Sequence, residues 1–191
     1  TAHAFKVPTA IEAAHDFLWR IHTVTPARGR VAIFNRSHYE DVLVPRVHRT
    51  VPKELIAKRY DRINEFEHNL AQAGTHILKF YLHISADEQL RRFKARLDDP
   101  HRQFKISEAD YAERALWDDY RRAFEAALER TSTHRAPWFI VPANHKWFRN
   151  LVVARIVADT LDDLHMTFPK PSVDIEEIRR TYHAAEEAQG N

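Results

Sequence analysis

Cysteine is absent from the 191 residues, so the chain can form no disulfide and offers no thiolate to a metal or a substrate. Only three glycines occur, and none precedes a Lys-Ser or Lys-Thr pair, so the sequence contains no glycine-rich phosphate-binding loop. No run of about 18 apolar residues is present, and the first residues lack the pattern of a signal peptide. We therefore expect a cytoplasmic protein with no membrane partner.

Excess charge is also lacking, because 29 Lys and Arg residues against 27 Asp and Glu residues leave a formal net charge of +2. Such a balance argues against a general nucleic-acid coat and favours local basic patches that bind a compact anion. The apolar content of 44% suffices for one domain with a full core, and we expect a single domain over residues 1–191. The 13 histidines show no His-x-x-x-His spacing of the kind that binds zinc on a helix. The sequence therefore does not indicate which residues would bind a metal ion.

Short apolar segments alternate with longer amphipathic ones along the chain. Residues 31–34, 75–85 and 136–141 are nearly continuous in apolar character, which predicts strands of a parallel sheet buried on both faces. Helical spacing predicts helices over residues 9–22, 52–73, 107–130 and 146–164, with another from residue 86 to Pro100 and a short one from residue 173. This alternation predicts an α/β layered domain.

The first candidate site follows the strand at residues 31–34. Asn35 and Arg36 come directly after that strand, where ligands of open α/β sheets bind. Arg36 offers a planar guanidinium suited to phosphate oxygens, and a helix starting near Ser37 would point its amide groups at the same anion. Glu40, Asp41 and Arg46 complete the cluster. The pattern alone fits equally well with a strand end that carries a surface salt-bridge cluster.

The second candidate site is a run of basic residues: Arg91, Arg92, Lys94, Arg96, Arg102 and Lys105. Arg92 and Arg96 share one face of a helix, and Pro100 breaks that helix ahead of Arg102 and Lys105. Such a segment is typical of a lid that closes over phosphates. A charge run by itself is more often a solvated helix face, here neutralised by nearby carboxylates, and both interpretations stay open. The basic residues are not interleaved with aromatics, so a nucleic-acid partner is not expected.

Long stretches of the chain resemble the polyphosphate kinase 2 family, whose members move phosphate between inorganic polyphosphate and nucleotides. The resemblance is carried, in order, by FNRSHYEDVLVPRVH, RYDRINEFEHNLAQAGTHILKFYLHIS, EQLRRFKARLDDPHRQFKIS and TSTHRAPWFIVPANHKWFRN. The version with Asn35 and with Glu40 next to Asp41 resembles the subgroup that phosphorylates both nucleoside monophosphates and diphosphates.

The resemblance implies a three-layer α/β/α fold of the P-loop-kinase type, similar to thymidylate kinase, with a helical lid at about residues 86–117 and a tail at residues 169–191. It implies in-line, Mg²⁺-assisted phosphoryl transfer from polyphosphate to ADP, AMP or GDP by a homo-oligomer, a dimer or a tetramer. Three catalytic residues are implied: Asn35, in the position of a metal-linked Asp in many relatives, Arg36 and Asp41. The implied phosphate-binding residues are Arg46, Arg92, Arg96, Arg102 and Lys105.

The chain departs from the family in one respect. Family members have a glycine-rich Walker A loop, with an Asp and a Lys, ahead of the segments quoted above, and this loop is not found in the chain. We expect either a partial sequence of a normal enzyme, which Thr1 in place of Met favours, or a chain completed by another copy, or a protein without catalysis. The remaining strands should then expose apolar surface or an unpaired edge. The alternatives to the kinase are a non-catalytic polyphosphate- or nucleotide-binding module and an ATP-dependent nucleoside monophosphate kinase.

Overall fold

A computed structural model describes residues 1–189, which form two compact units, Thr1–Val153 and the chain from Ala154 onward. The strands are β1 (Ala2–Ala4), β2 (Ile33–Asn35), β3 (Lys79–His83) and β4 (Trp138–Pro142). The helices are α1 (Ala10–Ala13), α2 (Trp19–His22), α3 (Glu40–Val47), α4 (Lys53–Gln72), α5 (Ala86–Leu97), α6 (Glu108–Ala115), α7 (Trp117–Thr131), α8 (Lys146–Asp163) and α9 (Ile175–Gln189).

The strands pair in parallel, as predicted, in two separate sheets of two strands each within the described residues. Strand β1 pairs with β2 so that Ala4 lies opposite Asn35, and β3 pairs with β4 so that Lys79 lies opposite Trp138. Parallel pairing brings the carboxyl ends of β3 and β4 together at one edge. The polar residues that follow these two strands therefore start from neighbouring points.

The strands are shorter and more exposed than predicted. Val31 lies outside β2 and is 65% exposed, and Ile33 within β2 is also 65% exposed. Ile140 of β4 is 62% exposed. The prediction that these strands are buried on both faces was wrong for the described residues, because each sheet has only two strands and the outward side chains lack a packing partner.

Helix α4 follows its prediction within one residue at each end. Its apolar side chains Ile56, Tyr60, Ile63 and Phe66 recur at spacings of three and four and are all buried. Gly74 ends the helix with a φ of 91°, a left-handed conformation that favours glycine. One face of this 20-residue helix is therefore buried against the rest of the first unit.

Helix α5 begins and ends where the sequence indicates. The Ser85 side chain accepts a hydrogen bond from the Glu88 amide at 3.2 Å, as an N-cap residue does. The Glu88 carboxylate does not return to the cap, because it binds two arginines of its own helix. The helix ends at Leu97, ahead of Pro100, whose ring cannot continue it.

Two predicted helices are broken, which corrects the single helices expected over residues 9–22 and 107–130. The first is divided into α1 and α2, because Asp16 accepts a hydrogen bond from the Leu18 amide and so replaces a helical bond. The second is divided into α6 and α7 at Leu116, whose amide bonds to the Glu113 carbonyl three residues back. Leu116 packs against the main core, which fixes the direction of α7 independently of α6.

The main core lies between α3, α4 and α7. Its buried apolar residues are Tyr39, Val42, Leu43, Val47, Ile56, Tyr60, Ile63, Ala123 and Ala127. A second cluster joins Leu18 and Ile21 of the α2 region to Phe66 of α4. Because α3 contributes to the main core along its length, the loop that leads from β2 into α3 is attached to the best-packed part of the unit.

Candidate active site at the end of strand β2

The loop between β2 and α3 carries Arg36 in an unusual conformation. Asn35 ends β2, and its carbonyl accepts a hydrogen bond from the Phe5 amide at 3.1 Å. Arg36 follows with a φ of 61°, in the left-handed region that costs a non-glycine residue about 1–3 kcal/mol. Its side chain is 63% exposed, so the guanidinium projects toward solvent from a strained backbone. Such strain in a non-glycine residue is typical of functional sites.

The positive charge of Arg36 is only weakly engaged within the chain. Its Nε lies 4.0 Å from Oε1 of the half-buried Glu40, four residues along the chain, and a pair at this distance with one exposed partner contributes little energy. Burial raises the pKa of Glu40, while the Arg36 charge opposes that rise. Glu40 and Asp41 already complement the dipole of α3, so the positive charge for a bound phosphate comes from Arg36 more than from the helix.

Asp41 is fixed by two arginines that the sequence analysis missed. Nη2 of the buried Arg20 lies 3.3 Å from Oδ2 of Asp41, and Nη1 of Arg59 donates to the Asp41 carbonyl at 2.6 Å. Burial raises the pKa of Asp41, and the charges of Arg20 and Arg59 oppose the rise. Both arginines lie on predicted helices, but nothing in their spacing indicates a common partner, since they come from segments on either side of α3.

Arg46 lies at the other end of α3, about 9 Å from Glu40 along the helix axis by the usual rise per residue. Its Nη1 donates to the hydroxyl of Tyr60 at 3.3 Å, and the rest of the side chain is exposed. Asn35, Arg36 and Asp41 are therefore gathered on one short segment. Arg46 belongs to the same helix but is separated from that group.

Arg92 of α5 connects its helix to the end of β4. Its Nε donates to Oε1 of Glu88 at 2.7 Å, and its Nη2 donates to the Ala143 carbonyl at 2.6 Å. Arg91 also bonds to Glu88, and these bonds, with that of Arg92 first, lower the pKa of Glu88. In this conformation, Arg92 serves the packing of α5, and its predicted phosphate contact stays a prediction.

Of the remaining basic residues of this region, Arg96 is half-buried, as Arg92 is, whereas Arg102 and Lys105 are exposed. The guanidinium of Arg96 lies 5.7 Å from the centre of the Phe93 ring, and Nε of Arg102 lies 2.9 Å from Asp99. Lys105 lies over Phe104, a side chain that is 79% exposed. Surface pairs of this kind are weak and exchange readily, so Arg102 and Lys105 can bind a phosphate chain without disrupting the core.

A cavity of about 260 Å³ lies at the carboxyl ends of β3 and β4. It is lined by His83, Ser85, Pro142, Asn144, His145 and Phe148. The Asn144 side chain accepts from the Ser85 amide at 3.0 Å, which joins the two strand ends. These residues were not among the predicted site residues, although ligands bind beyond parallel strand ends, which applies to them as it does to Asn35.

Comparison with known proteins decides the family. The sequence profile described as "Polyphosphate kinase 2 (PPK2)" matches residues 1–169, most of the chain. The chain belongs to the polyphosphate kinase 2 family. The resemblance stated from the sequence is thereby confirmed.

Two curated relatives and one solved structure give the degree of similarity. The chain is 51% identical over 175 residues to an AMP/ADP-polyphosphate phosphotransferase of Meiothermus ruber, covering 92% of this chain and 66% of that protein. It is 45% identical to an ADP-polyphosphate phosphotransferase of Rhodopseudomonas palustris, covering 87% of this chain and 62% of the relative. A crystal structure of polyphosphate kinase 2 from Arthrobacter aurescens matches with a TM-score of 0.94 and 47% identity, over 96% of this chain and 65% of the other.

The structural similarity confirms the predicted fold class, an α/β fold of the P-loop-kinase type. The chain spans about two thirds or slightly less of the length of these polyphosphate kinase 2 relatives. Among the described residues, no helix combines the length and apolar character that a membrane crossing requires.

Mg²⁺ is the metal that the family resemblance implies, and the loop after β2 can supply only part of its coordination. Within residues 1–189, no three His, Asp or Glu side chains are grouped as a metal site. Protein-bound Mg²⁺ commonly takes one or two protein oxygens and completes its shell with phosphates and water. The exposed amide of Asn35 and the carboxylate of Glu40 fit that mode, whereas Asp41 is already paired with Arg20.

Proposed function

We propose that this chain is part of a phosphotransferase that moves a phosphoryl group between inorganic polyphosphate and AMP or ADP, with GDP as a further acceptor. The observation that carries the proposal is the strained, outward-facing Arg36 at the end of β2, in a polyphosphate kinase 2 chain that is 51% identical to an AMP/ADP-polyphosphate phosphotransferase. We further propose that the protein acts as a homo-oligomer, a dimer or a tetramer, which sedimentation of the purified protein would test.

In this mechanism, catalysis consists of positioning and charge neutralisation during in-line transfer. Arg36 binds the oxygens of the transferring phosphoryl group, where negative charge has to be neutralised. The Asn35 amide and the Glu40 carboxylate would contact Mg²⁺, which supplies positive charge to the phosphates. Asp41, oriented by Arg20 and Arg59, keeps the first turn of α3 in place beside the acceptor nucleotide.

The exposed basic residues after α5 bind the polyphosphate chain in this proposal. We expect Arg102→Ala to raise the KM for polyphosphate about two- to fivefold with little change in kcat, because an exposed contact contributes about 0.5–1 kcal/mol. The increase should shrink at high salt, which screens such contacts. Initial rates at several polyphosphate and salt concentrations measure it. The matched control is Arg121→Ala, another exposed, ion-paired arginine outside this region. Equal effects of the two substitutions would remove Arg102 from the polyphosphate site.

The proposed function is tested by incubating polyphosphate, AMP or ADP, and Mg²⁺ with this chain. A parallel assay uses the protein produced from the complete open reading frame that encodes the chain. We expect the complete protein to form ADP or ATP in the absence of any nucleoside triphosphate. Transfer that requires ATP as donor would instead support a nucleoside monophosphate kinase. Binding of polyphosphate by both proteins without transfer would replace the proposal with a non-catalytic binding module.

A further inference from the structure

A cluster of buried polar residues lies directly beneath the loop that carries Arg36. We call it the Glu67 cluster, and its members are His38, Tyr39, Glu67, Lys79 and Thr131. All five are at most 7% exposed, and they come from the turn that precedes α3, from α4, from β3 and from the end of α7. The candidate active site described above does not use any of them.

The hydrogen bonds of the cluster converge on the Lys79 ammonium and the Glu67 carboxylate. The three protons of Lys79 are used by Oε2 of Glu67 at 2.6 Å, the Tyr39 hydroxyl at 2.9 Å and the Thr131 carbonyl at 2.7 Å. The Tyr39 hydroxyl in turn donates to Oε1 of Glu67 at 2.8 Å, and Nε2 of His38 lies 3.3 Å from the same oxygen. Burial lowers the pKa of Lys79, and the Glu67 charge opposes that effect.

This arrangement fixes the position of the chain immediately after Arg36. His38 and Tyr39 follow Arg36 by two and three residues, and both are bound to Glu67. On the other side, Asn35 is fixed by its pairing with β1. Arg36 and Ser37 therefore span the gap between two fixed points. A left-handed arginine persists only where its surroundings determine the backbone, and these two attachments do so.

Stability alone is a weak explanation for the cluster. Replacing a buried ion pair by apolar residues of similar size is often neutral or stabilising, so such a pair does not by itself indicate a stability role. Apolar residues could not provide hydrogen bonds, which fix the relative orientation of the groups that they join. The cluster joins four elements through bonds of defined geometry and sets the point from which the Arg36 loop departs.

We infer that the Glu67 cluster, through Tyr39 and His38, positions the strained backbone of Arg36 and thereby the guanidinium of the phosphoryl-transfer site. This inference rests on the proposed function. Tyr39 and Glu67 are both buried, and in this inference they act through Arg36, so they are positioning residues. A side chain displaced by about 1 Å from its productive position can lose much of its catalytic effect.

Tyr39→Phe is the substitution that tests this inference most directly. It removes the hydroxyl that accepts from Lys79 and donates to Glu67, and it keeps the ring, which packs against Trp138 with centroids 4.7 Å apart. We expect kcat for transfer to fall about tenfold, with the KM for nucleotide changed less than twofold. The matched control is Tyr81→Phe, which removes a half-buried hydroxyl of β3 outside the cluster and should leave kcat unchanged. Thermal unfolding of each variant sets an assay temperature at which it is folded.

The decisive measurement repeats Tyr39→Phe in an Arg36→Ala background. If Tyr39 acts through Arg36, the second substitution should lower the remaining rate less than twofold. An equal tenfold loss in both backgrounds would mean that Tyr39 acts elsewhere and would overturn the inference.

His38 gives an independent pair of variants in case Tyr39→Phe does not fold. His38→Gln keeps a hydrogen-bond donor to Glu67 and should retain most of the activity, whereas His38→Leu should not. Equal rates for these two variants would also overturn it.

Binding of tripolyphosphate, measured by calorimetry in the same four proteins, separates this inference from the proposed function. If the unmodified protein transfers no phosphate yet binds tripolyphosphate, and Tyr39→Phe weakens that binding only when Arg36 is present, the positioning role stands and the transfer activity fails. If transfer occurs but the effects of the two substitutions add, the transfer activity stands and the positioning role fails. A protein with neither transfer nor binding overturns both.

Discussion

Replacing Arg36 by alanine is expected to lower the rate of phosphoryl transfer about a hundredfold or more. In other enzymes, removing one hydrogen-bond donor that contacts the negative charge of the transition state lowers kcat by about this factor. The effect is large because the donor is already in place when the charge forms. Arg36 is poised for such a contact, since its backbone is fixed in a strained conformation and its only ion-pair partner, among the described residues, is Glu40 at 4.0 Å. The effect should appear in kcat at saturating polyphosphate and nucleotide.

Two further substitutions make the Arg36 prediction specific. Arg36→Lys keeps the charge but loses the planar pair of donors, so we expect a rate between those of alanine and arginine. Arg62→Ala removes an arginine of similar exposure on α4 that is paired with Glu65, and it should leave the rate unchanged. A near-normal rate for Arg36→Ala, with the protein shown to be folded, would remove Arg36 from the active site.

The position of Arg36 could be predicted from the sequence because its signal is local. A short apolar run followed at once by Asn35 and Arg36 indicates a strand end, and ligands bind beyond strand ends in open α/β sheets. Its left-handed φ could not be predicted, since arginine has no preference for that region. The conformation depends on what Asn35 and Tyr39 bind, and those partners lie far away in the sequence.

Contacts between distant segments account for most of what the sequence did not reveal. Arg20 and Asp41 are separated by 21 residues, and Lys79 and Glu67 come from different elements. Lys79 lies at the start of a strand whose next three residues are apolar or aromatic, so its burial could not be predicted without its partner. Glu67 did carry a signal, because it follows Ile63 by four residues and therefore lies on the buried face of α4.

The two broken helices show that sequence periodicity also fails to reveal contacts between residues that are close in the chain. The apolar spacing on both sides of Asp16 and of Leu116 is helical, so periodicity alone predicts one helix in each segment. Breaking requires only one competing bond, such as that from the Leu18 amide to Asp16. At Leu116 the tertiary packing decides, since the same side chain that fits the helical pattern is directed into the main core.

Breaking the buried pair of Lys79 and Glu67 should have the largest effect on stability. We expect Lys79→Met to lower the free energy of unfolding by about 3–5 kcal/mol, because it leaves the Glu67 carboxylate charged and buried without its counterion. The loss should be measurable as a lower urea midpoint with an unchanged slope. The matched control is Glu65→Ala, which breaks the ion pair with Arg62. The two charged atoms of that pair are 2.7 Å apart, a similar distance, but both side chains are more than half exposed. The substitution should therefore lower the free energy of unfolding by less than about 1 kcal/mol.

The double substitution Lys79→Met with Glu67→Leu distinguishes an unpaired charge from a packing defect. If the loss in Lys79→Met comes from the stranded carboxylate, removing that carboxylate should restore a large part of the unfolding free energy. Losses that simply add would show that side-chain volume, not charge, is decisive at this position. The restored protein should nevertheless transfer phosphate slowly, because Tyr39 would have no carboxylate to bind and Arg36 would lose one of its two fixed attachments. Stability and activity should thus separate in this variant, and recovery of both together would contradict a positioning role for the cluster.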